Sequence, residues 1–160
     1  MSTSGSYGFR INGQDKLFYN HWDSYPDGLG FKVLDFIRTT SYDEMREIAE
    51  RIQLVDDSTP PTQEQIEICR KAGTINLNVG DQSETDWYCL LRNAQGKLSF
   101  YKSGFPFLLG TERCEDEWTY IIDLDNETFD VYSENRLVYR ITIEEARSIS
   151  NPIFVSRCGD

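Results

Sequence analysis

Apolar and polar residues alternate along "YGFRINGQDKLFY". Tyr7, Phe9 and Ile11 are interleaved with Gly8 and Arg10, Asn12-Gly13 interrupts, and Leu17 and Tyr19 resume the alternation. A period of two is the strand signal, and Asn-Gly supplies the positive φ angles of a tight turn, so a β-hairpin is predicted over 7–19. The period then lengthens. In "GLGFKVLDFIRTT", Leu29, Val33, Phe36 and Ile37 fall on one face of a short helix. In "SYDEMREIAERIQLV", Met45, Ile48, Ala49 and Ile52 form an apolar stripe behind a capping box of Ser41 and Glu44. "DDSTPP" breaks the chain. "TQEQIEICRKAG" predicts a third helix, opened by Thr62 with Gln65 and stopped by Gly73.

"TINLNVGDQSETD" is ambiguous, because Ile75, Leu77 and Val79 alternate but the tail after Gly80 is polar. Beyond it, "WYCLLR" and "KLSFYK" read as strands around the turn "NAQG". "WTYIIDL", "TFDVYS" and "RLVYRIT" read as strands around "DNE" and "EN". Closely spaced strands of this kind predict an antiparallel meander. Thr142 and Glu145 cap a last short helix, "IEEARSI", which Pro152 is expected to end. The order is hairpin, helices, meander, helix, which is the α+β pattern. With 160 residues, no linker and no repeat, one domain over 1–160 is expected.

Composition narrows the function classes. The net charge of −11 argues against binding a nucleic-acid backbone or an anionic membrane surface, both of which need clustered Lys and Arg. It leaves room for a small anionic ligand in a local pocket, or for a basic protein partner. No apolar run reaches membrane-spanning length, and "MSTSGSYGFR" lacks the pattern of a signal peptide. Cys69, Cys89, Cys114 and Cys158 form no C-x-x-C pair. They are read as reduced thiols of a cytoplasmic protein, with no metal or cofactor expected.

Candidate chemistry concentrates in "FYNHWDSYPDGLG". It holds the only histidine, His21, the side chain that titrates nearest neutrality. Read as a site, His21 is a general base or a ligand hydrogen-bond donor. Tyr19, Asn20, Asp23, Ser24 and Tyr25 then line the ligand, and Arg10 receives an anionic group. Read as a turn, Asn20, Asp23 and Ser24 bond nearby backbone N–H groups, Pro26 and Gly28 bend the chain, and Trp22 is core. Adjacency alone does not make His21, Asp23 and Ser24 a catalytic triad.

Tyr19, Asn20, His21, Trp22, Asp23, Ser24, Tyr25, Pro26, Gly28, Leu29 and Gly30 together resemble the signature of a family of small proteins from bacteriophages, bacteria and fungi. Its members carry Tyr-Asn-His-aromatic-Asp-Ser-Tyr-Pro and then Gly-Leu-Gly after an N-terminal hairpin. The resemblance covers about the first quarter of the chain and brings no activity with it. It implies that the motif is more than a convenient turn, since binding residues concentrate on loops held by a rigid scaffold.

Other stretches weigh less. "DLDNETFDVYSE" sets Asp123, Asp125, Glu127 and Glu134 at calcium-loop spacing but has Thr128 where that loop needs glycine, so a turn with exposed carboxylates is expected. From Glu112 to Glu134 there are nine acidic residues and one basic, Arg113, which reads as a solvated face or as a mimic of nucleic-acid charge. Phe105, Phe107, Leu108 and Leu109 read as core, with a pocket wall or a homo-oligomer contact as the alternative. Ser2 or Thr3 as an N-terminal nucleophile has little support.

The leading expectation is a phage-type pocket protein for a small ligand, with a nucleotide-derived host immune signal, sequestered or cleaved, as the ligand class. An acidic protein-binding inhibitor and a hydrolase with His21 as base are the competitors. Independently of these, intact mass spectrometry under native, non-reducing conditions should find every cysteine as a free thiol. An intramolecular loss of two hydrogens would contradict that.

Overall fold

The computed structural model describes residues 3–113 and 117–159. Cys114, Ser2 and part of the acidic run therefore lie outside the described residues. Strands β1 (Gly5–Ile11) and β2 (Gln14–Asn20) form the hairpin, turning at Asn12 (φ 52°) and Gly13 (φ 73°). The two-residue turn pairs Tyr7 with Phe18. Paired residues share a face, so Phe18 joins Tyr7, Phe9 and Ile11 in the main core. Leu17 faces the other way, with Ile121 and Tyr132.

A π-helical turn, Pro26–Gly30, leads into α1 (Phe31–Arg38). Helix α2 (Tyr42–Arg51) begins where the Ser41 side chain accepts from the Glu44 N–H, and β3 (Gln53–Val55) follows it. Helix α3 (Gln63–Ala72) carries the complete Thr62–Gln65 capping box and ends at Gly73, whose φ of 77° suits glycine. Residues 75–86 form turns, not a strand.

The next segment corrects the sequence reading. "WYCLLR" and "KLSFYK" are not strands: α4 (Trp87–Leu91), a 3-10 turn Arg92–Ala94 and α5 (Ser99–Lys102) occupy them. The Asp86 side chain accepts from the Tyr88 N–H and starts α4, while Trp87, Leu90 and Leu91 are buried at helical spacing. A five-residue apolar run is too short to display its period, so burial against the sheet decides it.

Strands β4 (Phe107–Thr111), β5 (Trp118–Asp123), β6 (Thr128–Ser133) and β7 (Arg136–Thr142) complete a seven-stranded sheet of order β3-β4-β2-β1-β5-β6-β7. The meander β5-β6-β7 is antiparallel as expected, but the whole sheet is mixed, because β1 runs parallel to β5 and β3 parallel to β4. Phe105, Phe107, Leu108 and Leu109 are buried. Helix α6 (Ile143–Ala146) has the Thr142–Glu145 box. Pro152 does not end it. It sits in the first turn of α7 (Asn151–Arg157), where a missing N–H costs nothing, behind a Ser150 cap. The architecture is α+β, and one cluster of buried residues runs from Tyr7 to Cys158. No helix among the described residues is long and apolar enough to cross a membrane.

Two cations lie against the sheet. Lys16 is 9% exposed, and its Nζ donates to the carbonyls of Ala49 (2.7 Å) and Ile52 (2.9 Å), closing the C-terminus of α2. Burial lowers the pKa of this ammonium. On the other face, Arg10 donates to Asp15 at 2.6 and 3.1 Å and to Asp123 at 3.3 Å. Arg140 holds Asp130 through two hydrogen bonds at 2.9 and 3.0 Å.

Asp123 is thus buried, not an exposed turn carboxylate. Asp125 accepts from the N–H groups of Asn12 and Gly13 at 2.7 and 2.8 Å, tying the hairpin tip to the β5–β6 turn. The thiols of Cys69 and Cys158 are free and buried, and burial pushes them up to about 11 and about 12.

Burial alone would raise the Asp123 carboxyl. The Asn126 N–H and side-chain amide, the Arg10 charge and the Asp125 N–H outweigh it and hold the group below the ordinary carboxylate value. Its charge therefore stabilises the fold fully above the unfolded value of about 4, and this contribution is lost as pH falls through the folded value. Asp123→Asn should cost about 1–3 kcal/mol in urea unfolding at neutral pH and less at pH about 3. A penalty independent of pH would refute this account.

Candidate functional site

The opening loop runs from the end of β2 into the π-helical turn, and its base is tightly bonded. Asn20 is 6% exposed, and its Nδ2 donates to the Trp22 carbonyl (2.5 Å) and to Ser24 Oγ (2.9 Å). Ser24 is fully buried, its N–H donates to the Thr3 carbonyl (3.0 Å), and its own carbonyl accepts from the Tyr120 hydroxyl (2.7 Å). The loop is thereby fastened to β5.

Asp23 adopts a left-handed conformation (φ 57°), which aspartate tolerates, and its carbonyl accepts from the Leu29 N–H at 2.8 Å. Gly28 presses on that carbonyl so closely that a Cβ there would come within 2.3 Å of the oxygen. Leu29 plugs the core, and Gly30 lies under the rings of Tyr120 and Phe154. The Gly-Leu-Gly half of the motif is therefore explained by packing.

In the other half, Asn20 and Ser24 are explained by their bonds, but the rings beside them are not. His21 is half-buried, Trp22 is 54% exposed and Tyr25 39% exposed. The turn reading of Trp22 as core is thus corrected: the bonds from Asn20 turn the Trp22 carbonyl inward, and its ring stays outside. The His21 and Trp22 rings meet edge to face at 5.0 Å. Nδ1 of His21 shares a hydrogen bond with the Tyr19 hydroxyl at 3.1 Å, and Tyr19 lies near Tyr88, with ring centroids 6.5 Å apart. Asp23 is exposed, and no hydrogen bond joins His21 to Asp23 or Ser24 among the described residues.

Arg10 does not join this group. It stands five residues along β1 from Gly5, the partner of Asn20, roughly 16 Å away at the usual strand rise. Its charge is committed to Asp15 and Asp123. The cation at the loop is Lys32, in the first turn of α1. A Cβ at Gly96 would lie 3.0 Å from Asn20 Oδ1 and 3.7 Å from Lys32 Nζ. Gly96 itself has a φ of 74° and donates its N–H to the Tyr7 hydroxyl at 2.7 Å. Beside it, Gln95 Oε1 accepts from the His21 N–H at 3.0 Å, while the Gln95 Nε2 donor is buried with no acceptor among the described residues.

Sequence reasoning missed Gln95, Gly96, Lys32 and Tyr120. "NAQG" carried a turn signal, but nothing local placed that turn against Asn20.

Comparison with known proteins finds no matching family model, no matching curated protein and no matching solved structure.

The bonded and the exposed residues of the motif should separate in mutants. Asn20→Ala removes the donor to two buried or half-buried oxygens and should cost about 1–3 kcal/mol in thermal or urea unfolding. Trp22→Ala should stay within about 0.5 kcal/mol of the parent protein, as exposed substitutions do. Equal losses would show that the Trp22 ring is structural.

Proposed function

We propose that the protein binds a small ligand with a planar ring on the exposed edge of the opening loop, and that a nucleotide is the ligand class. The observation that carries this reading is the half-exposed Trp22 ring on a loop whose backbone is pinned by Asn20, Ser24 and Tyr120. Partly exposed rings that cluster, as those of His21 and Trp22 do at 5.0 Å, mark a contact surface more than a single ring does. Pinning the loop beforehand lowers the ordering cost of binding. His21 and Tyr25 flank Trp22 in sequence, and aromatic faces of this kind stack bases without reading their edges. Asp23 and the His21 ring supply polar contacts at the rim.

The same geometry favours binding over cleavage. His21 is oriented by Tyr19 rather than by a carboxylate, and Ser24 is buried as an acceptor for Asn20, so among the described residues no serine nucleophile stands free beside the imidazole. The acidic run offers less charge to a basic protein than its composition suggests, since Asp123 and Asp130 are buried and paired. Sequestration of a nucleotide-derived immune signal is the biological form of this proposal. It rests on the resemblance of the loop motif to the phage-associated family.

Titration with adenosine and with ATP, read by isothermal calorimetry, tests the proposal. Trp22→Ala should weaken binding by about 1–3 kcal/mol, the usual worth of one base–aromatic stack. His21→Ala should weaken it with little change in melting temperature. A large fall in melting temperature with affinity preserved in the remaining folded protein would remove His21 from the site. Absence of binding by either compound would remove the nucleotide class.

A further inference from the structure

Beside the opening loop lies a cleft of about 360 Å³ lined by Lys32, Lys97 and Lys102, together with Gly96, Ser99 and Asp35. We infer that this cleft is a phosphate subsite, and that it takes the phosphate groups of a ligand whose base lies on the loop. The inference deepens the proposal for the loop and rests on it for the base, though not for the phosphates.

The argument begins with charge. The chain has a net charge of −11 and only five lysines, yet three of the five meet in one cleft. Like charges repel, so such a grouping is unfavourable in the empty protein and becomes favourable when an anion is shared. None of the three is in a salt bridge among the described residues, whereas the arginines Arg10, Arg38, Arg46, Arg70, Arg140 and Arg147 all are. The one carboxylate in the cleft, Asp35, is paired with Arg38 at 3.0 Å and so does little to neutralise the lysines. Lys102 is held in place by donating to the Thr39 carbonyl at 2.8 Å, where α1 ends, and an ammonium has two further N–H groups to offer. The Ser99 side chain adds a hydroxyl at the wall.

Position supplies the rest. Gly96 is the seam between cleft and loop, since Asn20 Oδ1 and Lys32 Nζ both come within 4 Å of the point that a Cβ there would occupy. Next to it in the chain, Gln95 Nε2 is a buried donor, in a residue 6% exposed, with no acceptor among the described residues. Its orientation is set, since Gln95 Oε1 is already taken by the His21 N–H. Buried donors are seldom left unpaired, so this one calls for an acceptor, which a ligand oxygen at the seam would supply. A nucleotide laid across this seam would set its base toward Trp22 and its phosphates toward the lysines. The lysines come from α1 and from the segment around α5, so the subsite exists only in the folded protein.

Three probes separate the two halves: tripolyphosphate has only the phosphates, adenosine only the base and sugar, and ATP both. Calorimetry should be run on the parent protein, on Lys32→Gln/Lys97→Gln, and on a charge-matched control, Lys71→Gln/Arg136→Gln, all exposed positions. Tripolyphosphate should bind the parent protein, and both it and ATP should weaken about tenfold or more in the cleft variant, a loss of about 1.4 kcal/mol. Adenosine affinity should not change there, and the control should bind all three as the parent does. Lack of tripolyphosphate binding by the parent, unchanged affinity in the cleft variant, or an equal loss in the control would each overturn the subsite. If instead adenosine fails to bind and Trp22→Ala leaves ATP affinity unchanged, the loop reading falls while the lysine result stands.

Discussion

The parallel pairing of β1 with β5 is the constraint on which the structure depends. It sets Tyr7 opposite Tyr120 and Gly5 opposite Trp118, joining the N-terminal hairpin to the C-terminal meander at the centre of the sheet. Three further ties lock that register. Arg10 reaches Asp123 across the pair, Ser6 and Thr119 share a hydrogen bond at 2.8 Å, and Asp125 closes on the backbone of the hairpin turn. A slip by one residue would turn every side chain of β1 to the wrong face and break all three.

The candidate site inherits its shape from this joint. Tyr120, on β5, donates to the Ser24 carbonyl, so the loop that leaves β2 is fastened to a strand more than ninety residues away in the chain. Tyr7, on β1, accepts from the Gly96 N–H and holds the other wall. Two buried tyrosine hydroxyls thus position the opening loop and the Gln95-Gly96 segment against each other. Desolvation by burial raises both phenols, which remain protonated and able to donate.

Within the loop, the bonded residues Asn20 and Ser24 bracket His21, Trp22 and Asp23. Asn20, Ser24, Gly28 and Gly30 are each accounted for by a bond or a close approach in the folded chain. His21, Trp22, Asp23 and Tyr25 project between them. A backbone pinned at Asn20 and Ser24 can hold the rings between them in solvent at low entropic cost, as the proposed binding surface requires. The lysine cleft across Gly96 adds local positive charge to a molecule that is otherwise strongly acidic.

Features that depend on neighbours in the chain were legible in the sequence by itself. The Asn12-Gly13 turn, the Thr62–Gln65 and Thr142–Glu145 boxes, the Gly73 stop and the alternating strands of the meander all rest on contacts within a few residues. That "NHWDSY" turns the chain was legible too, through its turn-forming residues. Tertiary structure alone decided the rest. The short apolar runs of 87–102 carry no period, and burial against the sheet makes them helical. Arg10 looked available from the sequence but is drawn to Asp123 by a pairing more than a hundred residues long-range, while Lys32 takes the place beside the loop. Trp22 looked like core from its hydrophobicity, yet the bonds made by Asn20 leave its ring outside. Local chemistry writes turns and caps, but which charge meets which loop depends on contacts that no short stretch contains.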